Sequence, residues 1–123
     1  MKKVLLIDDD EVFLKTVRDA LSTENYEVME AKDGKEGLQI TKKEKPDLIL
    51  LDVLMPEIGG MGFLKIIKQD EELNKIPILI ASNLTSMSHV DEGIALGARG
   101  YIIKSNESLK TIIDTIGSIT GKA

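Results

Sequence analysis

The chain predicts an α/β protein built on a doubly wound parallel sheet of five strands with five helices. Three observations predict it. Five short apolar runs recur at fairly even spacing, four of them are nearly continuous rather than alternating, and segments of helical spacing separate them. A continuous apolar strand is what a parallel sheet needs when helices cover both its faces. Right-handed crossovers then turn the repeated strand–helix alternation into a doubly wound sheet.

The first apolar run covers residues 4–7, and Phe13, Val17, Ala20 and Leu21 form the apolar stripe of the helix after it. The second run, 26–31, alternates: Tyr26 and Val28 stand against Glu27 and Glu30, as in an edge strand with one face partly wet. A weaker helix follows over 35–45, with Leu38 and Thr41 on its inner side and Pro46 ending it. The third run is 48–51, and Phe63, Leu64 and Ile67 mark the helix after it. The fourth run, 78–81, leads to a stripe of Met87, Val90 and Ile94. The fifth, 101–103, leads to the clearest stripe, Leu109, Ile112, Ile113 and Ile116. Turn residues fall between these segments, at Asp33-Gly34, Gly59-Gly60, 74–77, Gly97 and Gly100. There is no linker, repeat or low-complexity segment. Residues 118–123 read as a frayed end, and the domain is drawn over 1–120 with 121–123 as its tail.

Length and composition narrow the function. At 123 residues the chain is one domain of common size. With 42% hydrophobic but only 3% aromatic residues, its core must be aliphatic. Cysteine is absent, which excludes disulfides and thiolate metal sites and suits a cytoplasmic setting. A net charge of −5 argues against nucleic acid as a direct partner, because phosphate backbones need a basic surface. The run after Met1-Lys2-Lys3 reaches Asp8 too soon for a signal peptide, and no apolar run approaches a membrane span. A soluble, unexported protein is expected, with no membrane partner.

Function is written at the strand ends. The first run ends in Asp8-Asp9-Asp10, the third in Asp52, the fourth in Ser82 and the fifth in Lys104. In a parallel sheet these ends share one edge, and open α/β sheets place their sites at that edge where strand order reverses. Asp8, Asp9 and Asp52 would repel strongly in a partly dry cleft, and a divalent cation resolves the conflict. Magnesium takes oxygen ligands, commonly one or two carboxylates, and keeps positions for water and phosphate. Lys104 supplies a compact cation for a phosphoryl oxygen or for Asp52, and Ser82 a hydroxyl donor. These parts suit phosphoryl transfer, where positioning and charge neutralisation carry most of the catalysis.

Each residue also has an ordinary explanation. Asp8 to Asp10 could decorate a helix N-terminus, Lys104 could be solvated, Ser82 could be a turn residue, and Asp52 could open a loop. The joint placement on four strand ends is what argues against coincidence.

The segments Leu5-Leu6-Ile7-Asp8-Asp9-Asp10, Pro46-Asp47-Leu48-Ile49-Leu50-Leu51-Asp52-Val53-Leu54-Met55-Pro56 and Gly97-Ala98-Arg99-Gly100-Tyr101-Ile102-Ile103-Lys104 resemble those of receiver domains of bacterial two-component response regulators. The likeness runs essentially end to end and is to the single-domain, chemotaxis-type members in particular. It implies a flavodoxin-like fold with strand order 2-1-3-4-5. It also implies that Asp52 accepts phosphate from a sensor histidine kinase or a phosphotransfer protein. Asp9, Asp52 and the backbone carbonyl of Leu54 would hold Mg2+ directly, with Asp8 acting largely through water. Ser82 matches the hydroxyl that moves toward the phosphoryl group, Lys104 the lysine that pairs with it, and Tyr101 the aromatic residue that reports activation. Such a switch is a two-state equilibrium biased by phosphorylation.

Three departures from the pattern carry expectations. Ser105 stands where the family usually has proline, so a cis peptide is not expected there. Gly59-Gly60 replaces the usual Asp-Gly, which implies a more flexible loop and a lost helix cap. Leu54 and Leu84 flank the path of the hydrolytic water in such domains, so slow self-dephosphorylation is expected.

Two other readings stand beside this one. The run ending Asp8-Asp9-Asp10-Glu11-Val12 also resembles the first motif of haloacid-dehalogenase-type phosphatases, with Asp8 as nucleophile and Asp10 as acid/base. That reading leaves Asp52 unexplained and finds only Glu107 and Asp114, both placed on the last helix, as further acids. The other is a pure interaction module, against which every acid, hydroxyl and lysine position is filled. His89, near a helix start, reads as a surface residue. Output would pass through protein contact, by an effector domain or partner docking on the face of the fourth helix, fifth strand and fifth helix. That face carries Tyr101 with Ser88, Asp91, Glu92 and Lys110 exposed around it.

Overall fold

A computed structural model describes residues 1–53, 59–83, 87–105 and 107–121, with only the backbone at 87–89. In chain order the elements are β1 (Lys3–Ile7), α1 (Glu11–Thr23), β2 (Glu27–Ala31), α2 (Gly34–Glu44), β3 (Leu48–Asp52), α3 (Gly59–Gln69), β4 (Ile78–Ser82), α4 (Met87–Ala95), β5 (Gly100–Ile103) and α5 (Leu109–Thr120). The strands form one parallel sheet in the order β2-β1-β3-β4-β5. This is the flavodoxin-like arrangement. The second run does lie at an edge, although both its faces are partly covered, Val28 packing on one core and Met29 on the other, and the three fully apolar runs lie inside.

Strand parity sorts the aliphatic residues into two cores. Leu5, Ile7, Ile49, Leu51, Ile78 and Ile80 pack on one face beneath Phe63, Leu64 and Ile67 of α3 and Val90 of α4. Val4, Leu6, Leu48, Leu50, Leu79, Ala81 and Ile102 pack on the other, against Leu14, Val17 and Leu21 of α1 and Ile112 and Ile116 of α5. Each fully buried side chain of this size contributes roughly 1.5–3 kcal/mol. Covering both faces is what made the strands continuous runs in the sequence.

Three helix faces differ from their expected stripes. On α1 the buried residues are Leu14, Val17 and Leu21, while Phe13 is only partly buried. On α4 the inner positions are Val90 and Gly93, and Ile94 is turned outward, 40% exposed. Gly93 lets the helix lie close on β4, where a Cβ would stand 2.2 Å from Ile80 Cδ1. The side chains of Met87, Ser88 and His89 lie outside the described residues. On α5, Leu109 is 39% exposed, so that stripe begins at Ile112.

The chain end also departs from expectation. Residues 118–120 belong to α5, and Thr120 is buried, its hydroxyl 3.1 Å from the Tyr26 hydroxyl. This contact ties the end of α5 to the start of the edge strand. The helix stops at Gly121, which takes the left-handed conformation as C-cap (φ 78°). Glu107 precedes α5 rather than lying on it.

Candidate functional site

Parallel register brings the strand ends together. Ile7 pairs with Leu51 across β1 and β3, so Asp8 follows level with Asp52. Asp52 pairs with Ala81 and Ser82 with Ile103, which places Ser82 and then Lys104 one step further along the same edge. β1 has β2 on one side and β3 on the other. Asp8 and Asp52 therefore sit at the reversal of strand order, where such sheets place their sites.

Asp8, Asp9 and Asp52 each offer a carboxylate oxygen, and these lie within 4.8 Å of one another. Asp8 and Asp52 are buried, whereas Asp9 is exposed. Asp8 holds the loop as well as the cluster: its Oδ1 accepts the Asp10 backbone N–H at 2.9 Å. Its Oδ2 is buried, accepts no hydrogen bond among the described residues, and meets Lys104 Nζ as an ion pair at 2.6 Å. Lys104 Nζ lies farther from Asp52 Oδ2, at 3.6 Å. The ammonium thus neutralises Asp8 first and Asp52 second. Lys104 is not a solvated lysine, for only 10% of its side chain is exposed.

Phe13 completes this side of the edge. Its ring centroid is 4.7 Å from Lys104 Nζ, within cation–π range. Asp8, Asp52 and Lys104 share the strand parity of the α1/α5 face, and that is why α1 can reach the lysine. Ser82 has the opposite parity, on the α3/α4 side, and its hydroxyl donates to the Asn83 carbonyl at 3.0 Å. Tyr101, on β5, is 48% exposed. Asp91 and Glu92 are exposed, as is Lys110, which pairs with Asp114 at 2.8 Å. Leu54, Met55, Pro56 and Leu84 lie outside the described residues. The Lys104–Ser105 peptide is trans.

Asp10 plays a different part from its neighbours. It is the N-cap of α1, with Oδ1 accepting from the backbone N–H groups of Val12 and Phe13 at 3.1 and 3.2 Å. The ordinary explanation therefore holds for Asp10. A phosphatase mechanism with Asp10 as acid/base would have to give up this cap. Asp10→Ala is expected to cost about 1 kcal/mol, read by urea denaturation.

Sequence reasoning missed two residues here. Phe13 reads as a core residue in the sequence, and its only other signal is its place in the first turn after an edge aspartate. Gly60 reads there as a source of flexibility. Instead, a Cβ on Gly60 would lie 2.4 Å from both the Asp52 carbonyl oxygen and Val53 Cα, so its bare backbone lets α3 start directly behind the site. Gly59, which stands where the family usually has aspartate, is the first residue of α3 at φ +71° and has no side chain to cap it.

A doubly wound α/β protein with one acidic, lysine-neutralised site at its switch point is a narrow class. Residues 4–116 match the family model of the response regulator receiver domain. The polar-differentiation response regulator DivK of Brucella anthropi is 34% identical over 122 residues, covering 99% of this chain and 98% of that protein. The chemotaxis protein CheY4 of Vibrio cholerae superposes with a TM-score of 0.87 at 34% identity, covering 97% of this chain and 98% of that one. The receiver domain of Francisella response regulator 1452 superposes with a TM-score of 0.87 at 27% identity, over 99% and 98% of the two chains. The chain belongs to the response regulator receiver domain family, the signalling domains of two-component systems. No helix among the described residues is long and apolar enough to cross a membrane.

Proposed function

We propose that this receiver is a phosphorylation switch in which Asp52 takes a phosphoryl group from a histidine kinase or a phosphotransfer protein. The observation that carries the reading is the cluster at the switch point, with carboxylates from two strand ends facing one buried ammonium. A carboxylate oxygen of Asp52 attacks phosphorus as the bond to the donor's imidazole nitrogen breaks, and the electron pair leaves with that nitrogen. Lys104, already between Asp8 and Asp52, is placed to meet a phosphoryl oxygen on Asp52. Ser82 would turn its hydroxyl from the Asn83 carbonyl toward the same group, and Tyr101 would change its exposure in response.

The donor set suits magnesium: oxygen ligands only, from three carboxylates within 4.8 Å of one another with a single ammonium among them. Asp9, Asp52 and the Leu54 carbonyl would hold the ion, with Asp8 through water. When bound, it neutralises the charge that builds on the phosphoryl oxygens. The switch unit would span residues 1–120. Output would pass to a downstream protein or effector domain through the face of α4, β5 and α5, where Tyr101 is exposed. Leu54 and Leu84 favour a long-lived phosphoryl group.

The test is incubation with magnesium and a small donor, acetyl phosphate or phosphoramidate, followed by mapping of the modification by mass spectrometry. One phosphoryl group on Asp52, absent from Asp52→Asn, is expected. Phosphate on Asp8 with continuing turnover would favour the phosphatase reading, and no phosphate on Asp52 from either donor would overturn the switch.

A further inference from the structure

The lysine of the site is held by more than its carboxylates. A lysine ammonium is a compact charge on a four-carbon stem, free to swing between acceptors. Here it has two on offer, Asp8 Oδ2 at 2.6 Å and Asp52 Oδ2 at 3.6 Å. The third neighbour is the face of Phe13, 4.7 Å from Nζ to ring centroid. Resting on the reading of Asp52 as phosphoacceptor, we propose that Phe13 is a positioning residue, whose ring holds the Lys104 ammonium over the site when Asp8 or Asp52 no longer does.

Three features suit the ring to this task. It is itself held in place: the Phe13 backbone N–H is bound by the Asp10 cap, and its side chain packs on the α1/α5 core. It attracts a cation through its quadrupole without carrying charge, so it neither neutralises Lys104 nor competes with the phosphoryl group for a bond. It also helps keep water from an ammonium whose side chain is only 10% exposed, and charge interactions strengthen as water is excluded. Once another cation on the carboxylates displaces the ammonium from Asp8, a flexible lysine with no further partner would sample solvent. Beside Phe13 it stays at the sheet edge. An aliphatic side chain of similar size would fill the same space and lack the negative face.

The experiment compares Phe13→Leu, which keeps apolar bulk, with Phe13→Tyr, which keeps the aromatic face. Lys104 ε-methylene protons are followed by NMR, and phosphorylation by acetyl phosphate with magnesium is timed. In the unmodified protein and in Phe13→Tyr the Lys104 protons should be shifted upfield by the ring, and in Phe13→Leu that shift should vanish. The phosphorylation rate should fall about three- to tenfold in Phe13→Leu and recover to within about twofold in Phe13→Tyr. Should Phe13→Leu fail to fold, Phe13→Met takes its place. Unchanged Lys104 resonances on loss of the ring, or an equal loss of rate in Phe13→Tyr and Phe13→Leu, would overturn the proposal. Failure of the unmodified chain to take phosphate on Asp52 would sink the functional reading alone, because the Lys104 resonances still decide the place of Phe13.

Discussion

Lys104→Met is expected to destabilise the fold by about 3 kcal/mol without divalent cations, the range for removing one partner of a buried ion pair. The substitution keeps most of the stem and removes the charge. It leaves the carboxylates of Asp8 and Asp52, with side chains only 3% and 10% exposed, without their shared cation. Asp8 suffers most, since its Oδ2 is buried and accepts no hydrogen bond among the described residues. Magnesium should recover much of the loss, because an ion bound only by the folded chain adds about 2.7 kcal/mol at a hundredfold excess over its Kd. Urea denaturation with EDTA and then with magnesium measures both effects. A loss below about 1 kcal/mol with EDTA would place the Asp8–Lys104 pair among surface ion pairs and contradict the burial argument. A loss that magnesium leaves untouched would contradict the cation site.

Gly60→Ala should be nearly as damaging, at about 3 kcal/mol, the upper end for overpacking a close contact. The added Cβ would meet Asp52 O and Val53 Cα at 2.4 Å and Val53 C at 3.0 Å. All three are backbone atoms at the end of a central strand, so no rotamer change can make room. Relief has to come from moving the end of β3, which displaces Asp52, or α3, which removes the packing behind it. Phosphate uptake should therefore fall together with stability. Gly59→Ala is the control. Gly59 has φ +71°, but a methyl group added there would meet nothing within 4 Å, so strain alone should cost it about 1 kcal/mol. Comparable losses in the two variants would show that backbone freedom, not space, selects glycine at this turn.

Much of the molecule is legible in its sequence because the relevant signals are local. A strand covered on both faces must be apolar throughout, and 48–51 and 78–81 say so without reference to anything else. The edge strand is a weaker signal: Glu30 shares its parity with Tyr26 and Val28, and Met29 packs on the opposite core, so its mixed polarity rather than strict alternation marks the edge. Turn residues and Pro46 mark the breaks, and a parallel sheet brings all strand ends to one edge. Asp8, Asp52, Ser82 and Lys104 can therefore be grouped from the order of strands and polar residues alone. The α4 stripe is misread in the sequence because Gly93, not Ile94, faces the sheet, and a glycine contributes nothing to an apolar pattern. The end of α5 is misread because Thr120 is polar, and its hydroxyl contact is with Tyr26, 94 residues earlier in the chain.

By itself the sequence determined the alternation of elements, the two-faced burial of the sheet and the membership of the acidic edge, since each follows from hydrophobic period and strand direction. Only the tertiary structure decided how that edge is wired. Asp10 leaves the cluster to cap α1, Lys104 lies nearer Asp8 than Asp52, and Ser82 faces the other side of the sheet. It also set Phe13 over the lysine and Gly60 against the back of Asp52. These choices depend on strand register, on parity across the sheet and on how closely a helix approaches it. Such distances are fixed by packing among residues far apart in the chain, so no local pattern records them.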